Sequence, residues 1–308
     1  METENAIAEI ALKPEPAQTK SSLMRTVISL SLYIAIDYWI FKSWTAVFIL
    51  VTVIVIHELG HFIAMKFFGY KGVNMTFIPF VGAYVSGEAS NFSRKNKIIM
   101  LFAGPLPGIC IGLVLFYLYQ NNHEHIYLRA ALPFLLLNIF NLLPISPLDG
   151  GQIFETLFFT GNRIIQLLFL YISLLLILLL TYKLKAYSLI LIAFLIFIRI
   201  GSLNLTNKVR KQLYVNSINF HKSYDDLTDE EYWQIRDTVI ENSKTLSKKY
   251  SIGIPDLKEH QLIAPVKTCL FPKYEDEFTN TTKIIVVSIW LISFCAPIFY
   301  WLHLKGFI

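Results

Sequence analysis

The residues most able to do chemistry are His57-Glu58-Leu59-Gly60-His61. In an α-helix, positions i and i+4 share a face, so the two imidazoles can reach a single metal ion. Glu58 between them could then take a proton from a metal-bound water, whose pKa falls to about 7 on zinc. In a charged soluble helix the same five residues would carry little weight. Here they follow the run Ala46-Val-Phe-Ile-Leu-Val-Thr-Val-Ile-Val-Ile56. A charged side chain at the centre of a bilayer costs roughly 2.5 kcal/mol or more, so all three are expected to face an interior site. The plainer reading is a pair of histidines that satisfy each other within a bundle.

A catalytic zinc usually takes three protein ligands and keeps a place for water. The third is sought in Asn141-Leu-Leu-Pro144-Ile-Ser-Pro147-Leu148-Asp149-Gly150-Gly151. Pro144 and Pro147 should end or break a helix. The two glycines then allow Asp149 to sit on non-helical backbone, on the side of the membrane where the histidines lie. Taken alone, an Asp-Gly turn closing a helix at the surface would explain the same residues. Beside the histidine motif, a metal ligand explains them better.

The elements that must position these groups are membrane helices. Of the 308 residues, 55% are hydrophobic and 16% charged, whereas a soluble domain carries about a quarter charged residues. Seven apolar spans are expected, at 24–42, 44–66, 97–119, 126–145, 163–182, 186–203 and 284–303, each near the roughly 20 residues that cross a bilayer. Arg94, Lys95 and Lys97 precede the third, and Lys208, Arg210 and Lys211 follow the sixth. Basic clusters stay cytoplasmic, which puts the N-terminus inside and Ile308 outside, with Lys183 and Lys185 running against the rule. At about 1.5 Å per residue, His57 lies roughly 14 Å from Lys66 at the inner surface, buried yet within reach of cytoplasmic water. The expected fold is therefore an all-α polytopic membrane protein, a six- to seven-helix bundle. It divides into a disordered tail (1–22), a six-span core (23–203), a soluble cytoplasmic region (204–283) and a last membrane helix (284–308).

Thr76-Phe-Ile-Pro-Phe-Val-Gly-Ala-Tyr-Val85 mixes aromatic and β-branched residues around Pro79 and Gly82, a composition for strands with a turn. Hydrocarbon forbids bare strand edges, so this hairpin must lie against protein or a water-lined cavity. Residues 204–283 balance Lys and Arg against Asp and Glu, so no basic surface for nucleic acid emerges. Thr228-Asp-Glu-Glu231 forms a capping box opening a helix to about Ser247, with Ile235 and Val239 on one face. Cys110, Cys269 and Cys295 lie far apart and suggest neither disulfides nor a thiolate metal site.

HExxH on one span and NxxPxxxLDG on a later one together resemble the site-2 protease family of intramembrane zinc metalloproteases, over about residues 44–160. Phe102-Ala103-Gly104-Pro105 looks like that family's AGP element, and Val81-Gly-Ala-Tyr-Val85 like its membrane hairpin, with Ala83 where glycine is usual. The resemblance implies that His57, His61 and Asp149 hold one zinc ion per chain, that Glu58 is the catalytic base, and that Asn141 positions the substrate or its oxyanion. It implies regulated intramembrane proteolysis, hydrolysis of a peptide bond in or near a substrate's transmembrane helix within a bilayer; the expected location is the cell membrane, where the basic clusters put the site toward the cytoplasmic side.

Two rivals remain at this level. A membrane zinc protease of another family would share the histidines and draw a glutamate from a later helix. A non-proteolytic metal-binding scaffold or carrier would leave Glu58 dispensable. Finally, Gly104, Gly108 and Gly112 recur every fourth residue and make one smooth face, expected to pack on the His57 helix. Residues 204–283 either recruit or exclude substrate or link passively to the last span.

Overall fold

The protein is described from a computed structural model covering residues 12–15, 23–79, 82–88, 93–159, 161–271 and 278–304. It comprises two compact units: Thr19–Phe197 with Glu275–Ile308, and Met1–Gln18 with Ile198–Tyr274. The elements run α1 (Leu23–Phe41), α2 (Trp44–Phe67), β1 (Lys71–Ile78), β2 (Gly82–Glu88), α3 (Arg94–Ala103), α4 (Pro105–Asn122), α5 (His125–Asn141), α6 (Asp149–Phe154), α7 (Arg163–Leu184), α8 (Leu189–Val215), α9 (Asp229–Asn242), α10 (Ile263–Cys269) and α11 (Asn280–Leu304).

Among the described residues, six helices are long and apolar enough to cross a membrane, α3 and α4 counting as one from Arg94 to Asn122. With α5, which has 17 residues, they account for all seven expected spans. The helical core of α2 is rich in valine and isoleucine, poor helix formers in water. In hydrocarbon the helix wins because every backbone N–H and C=O must be satisfied within the segment. Leu168, Ile172, Leu175 and Leu179 of α7 and Phe194 and Phe197 of α8 are exposed. A water-facing surface so apolar would aggregate, whereas a lipid-facing one is at rest.

Boundaries differ where proline and glycine intervene. The third span breaks at Gly104, with Pro105 taking the first position of α4, the place where a missing N–H costs least. The fourth stops at Asn141, ahead of Pro144. α8 continues to Val215, so the region from 204 opens as helix. The hairpin has strands at Lys71–Ile78 and Gly82–Glu88 and is longer than the 76–85 read from composition. It pairs Asn74 with Ser86, Thr76 with Tyr84 and Ile78 with Gly82, antiparallel, with an irregularity between Lys71 and Asn74.

In the second unit, Val209 and Leu213 of α8 pack with Tyr232, Ile235 and Val239 of α9 and Val266 of α10. The capping box is present at Thr228 and Glu231, but α9 ends at Asn242, short of Ser247. Arg236 is fully buried. Its guanidinium donates to both Glu259 carboxylate oxygens (2.9 and 3.1 Å) and to the Ser251 and Ile254 carbonyls (2.7 and 2.9 Å). Burial lifts the Cys269 thiol to about 11 against the pull of Arg210, which keeps it protonated and inert. Of the expected tail, residues 12–15 lie on this unit: the Lys13 ammonium donates to the carbonyls of Tyr224, Asp225 and Leu227 (3.1, 2.9 and 2.6 Å). The rest of 1–22 lies outside the described residues.

Without Glu259 the buried guanidinium keeps its ion pair with Asp237 (2.6 Å) but loses two charge-assisted hydrogen bonds, each worth about 1.5–3 kcal/mol. Glu259→Ala should therefore speed hydrogen exchange of the α9 amides and leave those of α2 unchanged, read by mass spectrometry of the full chain.

Candidate metal centre

α2 carries His57, Glu58 and His61 on the face turned into the bundle, with His57 4% and Glu58 6% exposed. The helix lies close against the α3–α4 break because Gly60 has no side chain: a Cβ there would overlap the Ala103 carbonyl. Reciprocally, a Cβ on Gly104 would overlap the His61 ring. The AGP stretch is thus a socket for α2, and glycine is required on both sides of it.

Each imidazole is held from behind. His57 Nδ1–H donates to Asn138 Oδ1 at 2.8 Å, and His61 Nδ1–H donates to the Met100 carbonyl at 2.7 Å. Met100 is among the last four residues of α3, whose carbonyls lack partners within the helix. Asn138 is fully buried on α5, and its amide donates to the Phe134 carbonyl at 2.7 Å, which turns its oxygen toward His57. Both partners are acceptors, so both rings carry hydrogen on Nδ1 and present bare Nε2 atoms forward.

Those two Nε2 atoms are 3.2 Å apart. Asp149 Oδ2 lies 3.2 Å from that of His57 and 3.3 Å from that of His61. Bonds of about 2.0–2.1 Å in a tetrahedral zinc site imply ligand-to-ligand edges of about 3.3 Å. Asp149 Oδ2 is buried without a hydrogen-bond donor, as a carboxylate reserved for a cation would be. The donor set therefore fits a tetrahedral ion with one position to spare, and it is the one such cluster of three among the described residues.

Asp149 reaches this point differently from expectation. It is not on non-helical backbone but is the first residue of α6, with Leu148 as N-cap. Gly150 and Gly151 serve close packing: a Cβ on the first would overlap the Leu142 carbonyl, and on the second the Ile145 carbonyl. The glycine face of α4 also divides. Gly104 meets α2, as expected, but Gly108 and Gly112 meet Asn138 and Leu135 of α5. Their smallness seats the residue that orients His57, so the stripe serves the site through a second helix.

A cavity of about 620 Å³ opens on the cluster, bordered by Glu58, Asn141, Gln152 and, from the hairpin, Ala83, Tyr84 and Val85. Asn141 is half-buried there, its amide donating to the Leu137 carbonyl at 3.2 Å. Asn138 was not singled out from the sequence. The available signal was a second asparagine one helical turn before Asn141, too polar to be idle in an apolar span.

Residues 45–126 match the model of Peptidase family M50. The site-2 protease resemblance is borne out. Stage IV sporulation protein FB of Bacillus subtilis is 32% identical over 115 residues, 37% of this chain and 40% of that protein. A zinc metalloprotease of Methanocaldococcus jannaschii is 32% identical over 121 residues, 37% of this chain and 34% of that one. A putative zinc metalloprotease of Mycobacterium tuberculosis is 31% identical over 130 residues, 39% and 32% of the two chains. The chain thus spans 32–40% of the length of these relatives. Among solved structures, the site-2 protease from Methanocaldococcus jannaschii aligns with a TM-score of 0.41 and 24% identity, over 56% of this chain and 87% of that chain.

Loss of a ligand's outer partner typically weakens metal binding 10–100-fold. Asn138→Leu should do so here, with Gly108→Leu acting through the same side chain, both measured by chelator competition on purified protein. Zinc affinity equal to that of the wild type in both variants would contradict the assigned geometry.

Proposed function

We propose that this chain is an intramembrane zinc metallopeptidase that hydrolyses a peptide bond in or near the transmembrane helix of a protein substrate, from a site toward the cytoplasmic face of the cell membrane. The observation that carries the reading is the meeting of His57, His61 and Asp149 at 3.2–3.3 Å inside a bundle of membrane-length helices, beside a cavity bordered by Glu58. One zinc ion, held by those three residues, would supply Lewis acidity toward the scissile carbonyl and would acidify the attacking water.

The protein's own groups do the rest. Glu58 follows His57 directly on α2, so its carboxylate borders the same cavity and can take the proton of the attacking water and pass it to the leaving amine. Asn141, on the last turn of α5, offers an amide to the substrate carbonyl as charge develops there. The apolar walls exclude bulk water, which strengthens each of these contacts.

A substrate helix hides its carbonyls in its own hydrogen bonds and must unwind to be cut. The hairpin can hold the unwound strand. The outer edge of β1 is already occupied by α1: Thr26 donates to the Met75 carbonyl at 2.7 Å, and the Phe77 N–H donates to Ser29 Oγ at 3.2 Å. Since Met75 and Phe77 point their backbone groups outward, Thr76 and Ile78 point theirs at β2. The pairing then turns the N–H and C=O groups of Ala83 and Val85 to the other edge, and both residues border the cavity. An extended substrate can add there as a third strand.

Glu58→Gln should retain zinc and lose cleavage of a reconstituted membrane substrate by 10²-fold or more, on the order of a general-base contribution; full cleavage by the variant would remove Glu58 from the mechanism, and zinc binding without cleavage by the wild type would make the chain a metal carrier instead. Proline is tolerated on an edge strand where its missing N–H faces outward, so Val85→Pro should keep the fold and zinc affinity while raising KM for a helical substrate. An unchanged KM would remove the strand-addition step.

A further inference from the structure

The stretch from Leu142 to Leu148 is non-helical, yet Leu142, Ile145, Ser146 and Leu148 are buried. Backbone groups at such a place need partners from elsewhere in the protein. Two distant helices supply them. Ser173 on α7 accepts the Ser146 N–H at 3.1 Å, and Trp290 on α11 donates its indole N–H to the Leu142 carbonyl at 2.8 Å. Phe154 meets the Trp290 ring edge-on at 4.9 Å and Phe294 stacks on it at 5.5 Å, so the indole has a fixed orientation.

Both braced points touch the residues that follow Asp149. The Leu142 carbonyl lies where a Cβ of Gly150 would stand, and the Ile145 carbonyl, in the peptide whose nitrogen is the braced Ser146 N–H, where one of Gly151 would. A shift of either peptide group is therefore transmitted by direct contact to the start of α6. Leu142 and Ile153 also share an apolar cluster with Val286 and Trp290 of α11.

We propose that Trp290 of α11 and Ser173 of α7 are positioning residues for Asp149, and that α11 is a working part of the metal centre although it lies outside the segment that matches the peptidase family. The inference rests on the zinc reading above. Without the Leu142 bond, the peptide swings toward another donor, α6 follows, and the Asp149 oxygen leaves the 3.2–3.3 Å triangle.

The test is zinc affinity of the full-length chain in detergent, by chelator competition, for wild type, Trp290→Phe, Ser173→Ala, Asp149→Ala and the Trp290→Phe/Asp149→Ala double variant. Phenylalanine keeps the ring packing and removes only the donor. Trp301→Phe, on the 40%-exposed tryptophan of the same helix, controls for insertion of α11. Trp290→Phe and Ser173→Ala are expected to weaken zinc binding roughly tenfold, Trp301→Phe not at all, and the double variant to bind as Asp149→Ala alone does, because residues acting through one another are not additive. Wild-type affinity in Trp290→Phe and Ser173→Ala, or an undiminished further loss in the Asp149→Ala background, overturns the proposal. Equal zinc binding by wild type and Asp149→Ala would instead overturn the zinc reading beneath it.

Discussion

A backbone carbonyl or amide left bare in hydrocarbon costs several kcal/mol, and that constraint shapes nearly every feature of the membrane unit. A continuous helix meets it without help. The site cannot be built from continuous helices alone, because a carboxylate must be brought in beside two imidazoles from another direction. Each break in the helices is therefore matched by a side chain or carbonyl from a neighbour. The α3 terminus offers its Met100 carbonyl to His61, the strand β1 is sealed by the hydroxyls of α1, and the stretch before Asp149 leans on α7 and α11.

Close approach is the second necessity, and glycine provides it at particular contacts. Gly60 and Gly104 bring α2 against the α3–α4 break, and Gly108 makes room for the Asn138 amide. These are contacts of backbone with side chain or backbone, at which no other residue fits without movement. Helices in lipid gain little from apolar burial against one another, so such interlocking holds them in register. The proposed chemistry depends on that register, since the three candidate ligand atoms stand within a few tenths of an ångström of a tetrahedral edge.

What could be read in the sequence follows from how local each signal is. His57 and His61 are four residues apart on one helix, and the period of the helix alone brings them together. Asp149 required two distant motifs to be weighed jointly, and their types and proline breaks sufficed for that. The helical setting of Asp149 was not legible, because prolines and glycines indicate a break without saying where helix resumes. Asn138 and Trp290 escaped for a related reason: each acts on a residue far away in the chain, and neither stands in a spacing that only its role explains. The glycine stripe of α4 was legible as a packing face, but which helix fills it is decided by tertiary arrangement, and α5 takes two of its three positions.

The docking of Lys13 has a topological consequence. Its ammonium and amide reach carbonyls and a carboxylate 211 to 216 residues further along the chain, closing a loop that contains α1, α2, the α3–α4 pair, α5, α7 and the whole of α8. Apart from α11, every membrane-length helix among the described residues lies between the two points of the chain that this polar unit ties together. Lys13 is made 211 residues before the first of its carbonyl partners, so this contact can close only after all of those helices have been synthesised.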